Sequence, residues 1–260
     1  MKKGNKTRKL LGSVLEYVIS IGVFVLAWLI YTTVKDVPLY ILPSPVEVGK
    51  SLIEMFADGT VYPHLWATTY EVIIGFIIGS VLGMALGYLF IKVDVLRTAL
   101  MPYLIFFQTA PKIALVPLFV VWFGIGIVSK IILIITMVLF PVLSGMMLGL
   151  DSIPKEAKDL MKVLKASKWQ IFTKIEMQYS MPALFSSFKI GIIQAVIGAI
   201  VAEWMSGKVG LGYILTYSSS TYDTPALLAG IIVTIVLGIV TYEIVSIFEN
   251  KALYWHESKK

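Results

Sequence analysis

The chain has 260 residues and a formal net charge of +6; 58% of the residues are hydrophobic and 15% are charged. Soluble domains carry about 25% charged residues, so this composition excludes a soluble globular protein and predicts a polytopic membrane protein. The chain has no cysteine, which excludes disulfides, thiolate metal sites and cysteine nucleophiles. The basic residues lie between apolar stretches, which is typical of membrane topology and argues against a nucleic-acid partner.

The N-terminal part is predicted to be a basic tail, residues 1–13, followed by a first membrane span at about 14–34. The apolar run is long enough to cross a bilayer, which takes about 20 residues. A basic tail before an apolar run also describes a signal peptide. This run is too long for that, however, and no small-x-small cleavage site follows it. We therefore expect an uncleaved span with its N terminus in the cytoplasm.

A more polar stretch, about 35–63, precedes the second span. Within it, Ser44, Pro45 and Glu47 predict the start of a short surface helix, because proline and a carboxylate are both favoured in a first helical turn. The second span, about 66–91, has a glycine at every fourth position: Gly75, Gly79, Gly83 and Gly87. In lipid, a face of glycines lets another helix approach closely, so we expect this face to pack within a helix bundle.

The third predicted span, about 99–123, is interrupted at mid-membrane depth by Gln108, Pro111 and Lys112. Proline removes a backbone donor and clashes with the preceding turn, so the helix should kink or break there. A broken helix at this depth is tolerated where protein or a water-filled path surrounds it. A lysine at a helix centre costs about 2.5–3.5 kcal/mol, so Lys112 should face the bundle interior or reach toward the membrane surface.

Three further spans, at about 131–150, 183–204 and 225–248, complete an all-α membrane domain of about six transmembrane helices within residues 14–248. The outer loop 205–224 is rich in glycine and serine and predicts tight turns. Residues 249–260 are predicted to form a second cytoplasmic tail.

Four polar residues on the spans are candidates for lining a translocation path: Gln108, Lys112, Gln194 and Glu203. For each, an interhelical hydrogen bond or an anchor at the membrane interface is an equally open explanation. Glu71 and Glu243 lie nearer the span ends and are expected to be interfacial or paired within the bundle. No acid, base and nucleophile are clustered in the sequence, so we predict neither an enzyme nor a metal site.

The longest polar segment, 151–182, separates the fourth and fifth spans and carries six of the 22 basic residues. Its residues Ala157, Leu160, Met161 and Leu164 are spaced i, i+3, i+4 and i+7, which places them on one face of a helix. A short helix of this kind is marginal alone in water, so its apolar face should lie on a lipid surface or in a partner's groove.

The distribution of lysine and arginine fixes the predicted orientation. Sixteen of the 22 fall in segments assigned to the inside, four fall outside, and two, Lys112 and Lys189, fall within spans. This excess satisfies the positive-inside rule, so we expect both termini and the segment 151–182 to lie in the cytoplasm.

The run LKASKWQIFTKIEMQYSMPALF, residues 164–185, resembles the EAA loop of the membrane subunits of binding-protein-dependent ABC importers. The register of this resemblance places Asp159, Leu160 and Met161 at the family's Glu-Ala-Ala positions, and Lys165 where the family has a turn glycine. In that family the loop forms a coupling helix that docks into a cleft on the cytoplasmic ATPase. The resemblance thus implies ATPase contacts by this segment, with these candidates: Asp159, Leu160, Met161, Leu164, Lys165, Ala166, Ser167 and Trp169.

Further segments resemble the nitrate, sulfonate, taurine and thiamine-precursor branch of these importers: 42–45, 111–126, 202–204 and 210–213. The resemblance implies a permease in the cell membrane that works as a dimer, of two identical chains, with ATPase subunits and an extracytoplasmic binding protein. It also implies that ATP is bound by the partner subunits and that this chain needs no cofactor.

The main alternative is a secondary transporter driven by an ion gradient. Such a protein would predict an internal repeat and a mid-membrane carboxylate, and neither is clear in this sequence. The solute stays open between a sulfonate- or nitrate-type anion and a heterocycle of the thiamine-precursor or riboflavin type.

Overall fold

The computed structural model describes the backbone of residues 3–254 and the side chains of residues 16, 19–205 and 207–254. In this part of the chain every regular element is helical and no strand occurs. The α-helices are α1 (Lys3–Val34), α2 (Pro45–Ala57), α3 (Val61–Lys92), α4 (Asp94–Thr109), α5 (Val116–Phe123), α6 (Ile127–Asp151), α7 (Lys155–Val163), α8 (Lys168–Ile171), α9 (Met177–Ser206), α10 (Leu211–Ser220) and α11 (Thr224–Ala252). A 3₁₀ turn, Lys112–Leu115, precedes α5, and a π-helical turn, Phe172–Glu176, joins α8 to α9.

The chain divides into two compact units. The smaller consists of Met1–Thr60 with Ile214–Ile231. In it α2 begins where the sequence predicts, because Ser44 and Glu47 form a reciprocal cap. The Ser44 N–H donates to Glu47 Oε2 at 2.9 Å, and the Glu47 N–H donates to Ser44 Oγ at 3.4 Å.

The larger unit consists of Val61–Tyr213 with Ile232–Lys260, and its core is built from α3, α6 and α9. The predicted glycine face of α3 packs on α6. A Cβ added at Gly83 would lie 2.7 Å from the Leu139 carbonyl oxygen, and one at Gly87 would lie 2.7 Å from that of Leu143. No side chain fits at such distances, so the glycines permit backbone contact between the two helices.

Four helical stretches within the described residues are long and apolar enough to span a membrane: Val61–Lys92, Ile127–Asp151, Lys168–Met205 and Thr224–Ala252. A fifth arises if α4 and the segment Lys112–Phe123, bent by 88° relative to each other, count as one broken span. The apolar part of α1, Ile19–Val34, is shorter than these. The total of six membrane spans therefore stays a prediction, whereas the predicted break in the helix at Pro111 is confirmed.

The structure changes the prediction in two places. The outer loop 205–224, predicted as tight turns, contains the ten-residue helix α10. The fifth apolar stretch begins at Lys168 and not near residue 183, because α8, the π-helical turn and α9 follow one another without a break. Of the predicted tail 249–260, residues 255–260 lie outside the described part.

Candidate translocation cavity and coupling surface

A cavity of about 660 Å³ lies where the broken third span meets α6 and α9. Three of the four predicted path residues, Gln108, Lys112 and Gln194, line it together. Three hydroxyl groups from α6 and α9 add to its polar lining: Ser144, Ser186 and Ser187. The remaining wall is mostly apolar and includes Phe140. A concave, largely apolar surface with a few convergent polar groups is typical of a small-solute site.

The local sequence explains why the wall is irregular at this point. α4 ends at Thr109, and Ala110 adopts an extended conformation with ψ of 138°. Pro111 has no N–H to continue a helix and disfavours helical geometry in the residue before it. The chain therefore turns before the 3₁₀ turn begins, and this turn carries Lys112 into the cavity wall.

Lys112 is the one charged side chain among the described residues that line the cavity. Its Nζ donates to the carbonyl oxygen of Gln108 at 2.9 Å and lies 5.2 Å from the centre of the Phe140 ring. No carboxylate lies within ion-pair distance of it in the described part of the chain. Its charge is thus held by a helix C-terminal carbonyl and a ring face, both favourable to a cation.

Glu203, the fourth predicted path residue, does not line this cavity. Its side chain is buried and accepts hydrogen bonds from the Thr68 hydroxyl and the Gly212 N–H, each at 2.7 Å. The Thr68 hydroxyl in turn accepts the Leu211 N–H at 2.8 Å. Glu203 therefore fixes the loop that follows α9, and the glycines at 210 and 212 were the signal in the sequence for so close an approach.

A buried ion pair lies between α3 and α6 in the same unit. Lys130 Nζ lies 2.7 Å from Glu71 Oε1, and both side chains are buried. Lys130 lies in the first turn of α6, just before the predicted start of the fourth span at about residue 131. The expectation that Glu71 is interfacial or paired within the bundle is met by the pairing.

We call residues 151–182, the polar segment between the fourth and fifth predicted spans, the coupling segment. It presents an exposed apolar surface formed by Leu160, Val163, Leu164 and Trp169. Leu164 is 65% exposed, and Val163, which was not among the predicted ATPase contacts, is 78% exposed. Met161, a predicted ATPase contact, is only 8% exposed. The predicted single face of α7 thus divides in two, because Met161 and the half-buried Ala157 turn inward while Leu160 and Leu164 point outward.

Two polar residues predicted to contact the ATPase, Asp159 and Ser167, make local interactions within the coupling segment. Lys162 Nζ lies 2.9 Å from Asp159 Oδ1 on the exposed side of α7. Ser167 caps α8 by accepting the Gln170 N–H, while its own N–H donates to the Gln170 side chain at 2.8 Å. Both interactions are local, so they order the segment without using its exposed apolar side chains.

Lys165 occupies the left-handed position that ends α7, with φ of 49°. The Ala166 N–H donates to the Met161 carbonyl and the Lys165 N–H to the Lys162 carbonyl, both at 3.0 Å. These two bonds form a Schellman motif, which usually carries glycine at the left-handed residue. The turn is therefore retained with lysine in the position where the resembled family has glycine.

Comparison with known proteins places these features in a family. Residues 75–254 match the family described as binding-protein-dependent transport system inner membrane component. The chain is 32% identical over 220 residues to the formylaminopyrimidine transport permease protein ThiX of Halalkalibacterium halodurans, covering 85% of this chain and 88% of the relative. It is 30% identical over 241 residues to the putative aliphatic sulfonates transport permease protein SsuC of Bacillus subtilis, covering 91% and 86%.

A third relative is the riboflavin transport system permease protein RibX of Chloroflexus aurantiacus, 27% identical over 231 residues, covering 89% of this chain and 86% of the relative. The fold also matches a solved chain of the MetNI methionine ABC transporter, with a TM-score of 0.66 at 17% identity. That match covers 74% of this chain and 95% of the solved chain. The predicted family and branch are confirmed: this chain belongs to the inner-membrane permease components of binding-protein-dependent ABC importers.

Proposed function

We propose that two copies of this chain form the translocation path of the importer, each contributing the cavity lined by Gln108, Lys112 and Gln194. The observation that carries this proposal is the convergence of these polar side chains at the break in the third span. Polar groups at this depth are costly against lipid, and Gln108 is exposed on the single chain. A second copy facing the first would enclose them, while membrane lipid would cover the remaining apolar surface.

As a permease of a binding-protein-dependent importer, the chain receives solute from a binding protein and works with ATPase subunits, which hydrolyse the ATP. For the ATPase contact we propose the surface formed by Leu160, Val163, Leu164 and Trp169. Exposed apolar side chains on a short helix suit a groove on a partner, where a few buried anchors carry most of the affinity. Both termini would then lie with this surface in the cytoplasm, as the distribution of basic residues predicts.

ATP binding by the partner subunits would move the coupling segment and favour one of two packings of the dimer. The solute-loaded binding protein would favour the same packing, so the two ligands together shift the population from inward-open to outward-open. No cofactor bound to this chain is needed for such a step.

The cavity chemistry bears on the solute. Lys112 gives the path a positive charge, which repels cations and accepts anions or uncharged hydrogen-bond acceptors. The relatives' names span both kinds, because they include aliphatic sulfonates as well as riboflavin and formylaminopyrimidine. We propose a small anion of the sulfonate or nitrate type or a heterocycle of the thiamine-precursor or riboflavin type.

The chain reconstituted in proteoliposomes with its ATPase and binding protein provides the test. Uptake should require ATP and should persist when ionophores abolish the proton and sodium gradients. Uptake that follows an imposed ion gradient without ATP would instead assign the chain to the gradient-driven transporters.

A further inference from the structure

A buried carboxylate links the base of the coupling segment to the cytoplasmic end of α3. Glu176 is only 6% exposed. It accepts a hydrogen bond from the Tyr88 hydroxyl at 3.0 Å and forms an ion pair with Lys92. The Lys92 ammonium also lies 5.3 Å from the centre of the Tyr88 ring, so the three side chains contact one another. We call this set of Glu176, Tyr88 and Lys92 the clasp.

One side of the clasp belongs to the coupling segment. Glu176 ends the π-helical turn Phe172–Glu176, in which the Met177 N–H donates to the Phe172 carbonyl. Phe172 packs edge-on against Tyr88, with ring centres 5.3 Å apart, and its other neighbour is Trp169, at 5.6 Å. Trp169 is part of the exposed apolar surface proposed to meet the ATPase. A chain of direct contacts therefore runs from that surface to the clasp.

The other side of the clasp belongs to the path. Lys92 is the last residue of α3, and Val93 alone separates it from α4. α4 carries Gln108, which lines the cavity. A displacement of Lys92 thus acts at the joint between α3 and α4 and so reaches the broken span.

The surroundings of the clasp leave room for movement. A second cavity of about 660 Å³ lies beside it, lined mainly by apolar groups that include Tyr88, Trp169, Phe172 and Met177. Turns of π-helix are uncommon and are found frequently at functional sites. The carboxylate is held firmly by charge, while the helix turn that carries it adjoins open space.

We propose that Glu176 is the positioning residue that transmits movement of the docked coupling segment to the α3–α4 joint through Lys92. The proposal rests on the ATPase contact proposed above. It predicts that removing the charge of Glu176 leaves the ATPase bound but weakens the coupling between hydrolysis and transport. In this pair the Glu176 side chain is buried, while the Lys92 side chain is 41% exposed. Loss of the buried carboxylate's charge removes the attraction that fixes the joint, whereas loss of a fully exposed pair has little effect.

The test compares variants in proteoliposomes containing the permease, its ATPase and the binding protein. The quantity measured is the number of solute molecules transported per ATP hydrolysed, together with the amount of ATPase that co-purifies. Glu176→Gln should lower the transport ratio about fivefold or more, in the range of coupling between sites, with co-purification unchanged. Tyr88→Phe, which removes only the hydroxyl, should lower the ratio less.

The charge swap Glu176→Lys with Lys92→Glu should recover most of the ratio, because it restores the ion pair in reverse. Asp151→Asn is the matched control, since the Asp151 carboxylate is exposed in its ion pair with Arg97, at 2.9 Å. It should transport with an unchanged ratio.

A parallel fall of transport and hydrolysis in Glu176→Gln would reduce Glu176 to a packing role and overturn the proposal. An unchanged ratio, a swap that recovers nothing, or loss of the co-purified ATPase would also overturn it. Failure of the proposed function gives a different result, because the unmodified chain would then show no ATP-coupled uptake at all.

Discussion

The ammonium group of Lys130 lies 2.7 Å from Oε1 of Glu71, across the interface between α3 and α6. Lys130 also lies 3.4 Å from the carbonyl oxygen of Val209, in the loop after α9. One lysine thus connects α6 both to α3 and to the loop that follows α9. A buried ion pair contributes little net stability compared with apolar packing, but loss of one partner leaves the other charge uncompensated.

From this we expect Lys130→Met to lower the free energy of unfolding by about 3–5 kcal/mol. The double variant Lys130→Met with Glu71→Gln should recover most of that loss, because no charge is then buried alone. Thermal unfolding of the purified chain in detergent measures both. A single variant as stable as the unmodified chain would show that Glu71 takes up a proton or reaches solvent once Lys130 is removed.

The left-handed turn at Lys165 predicts a substitution that raises stability. A side chain in this conformation costs about 1–2 kcal/mol relative to glycine, since Cβ approaches the following carbonyl. Lys165→Gly should therefore stabilise the end of α7 by about 1 kcal/mol, and Lys165→Val should destabilise it. Hydrogen exchange of the Ala166 N–H should slow about fivefold in the glycine variant. Faster exchange would show that the lysine side chain itself holds the turn.

Features governed by neighbouring residues could be predicted from the sequence. Pro111 breaks the third span through its own missing N–H, and α2 begins at a reciprocal cap between Ser44 and Glu47, which are three positions apart. The glycine face of α3 followed from spacing alone. In each case the cause lies within one or two helical turns.

Features that depend on distant partners could not be predicted. The burial of Lys130 requires Glu71, 59 positions away, and the position of Glu203 requires Thr68, 135 positions away. Met161 shows that residue spacing alone does not predict burial. The spacing places Met161 beside Leu160 on the apolar stripe of α7, but it does not determine which edge of that stripe is buried. A polar residue in a span is therefore recognisable from sequence, whereas its role depends on the tertiary contacts.

The exposed apolar surface of the coupling segment can be tested at Leu164. Leu164→Asp places a charge where burial against the ATPase is proposed, so ATPase co-purification and solute-stimulated ATP hydrolysis should be lost. Membrane insertion should be unaffected, because Leu164 is exposed in the single chain. Leu164→Met is the control, since it keeps an apolar side chain of similar volume and should retain both activities. Normal hydrolysis by the aspartate variant would remove this surface from the docking site.

The proposed pairing of identical chains can be tested without removing any native thiol, because the chain has no cysteine. Gln108→Cys should give a cross-linked dimer with a short bis-maleimide, as the two cavities would face each other. Tyr70→Cys, an exposed position on α3, is the control and should stay monomeric under the same treatment. Equal yields from the two variants would argue against a path enclosed by two copies.

Variants of Lys112 distinguish an anionic solute from an uncharged heterocycle. Like charges about 4 Å apart repel by about 1–4 kcal/mol, depending on how well water screens them, so Lys112→Glu should slow uptake of an anion about tenfold or more. Lys112→Gln, which keeps a hydrogen-bond donor, should slow it less. For an uncharged heterocycle no charge repulsion arises, so Lys112→Glu should slow uptake only through the loss of a hydrogen-bond donor, and the two variants should differ much less than they do with an anion. Lys208→Glu provides the matched charge reversal outside the cavity, on an exposed loop, and should leave uptake unchanged. Uptake by both Lys112 variants at the rate of the unmodified chain would place the solute's route elsewhere.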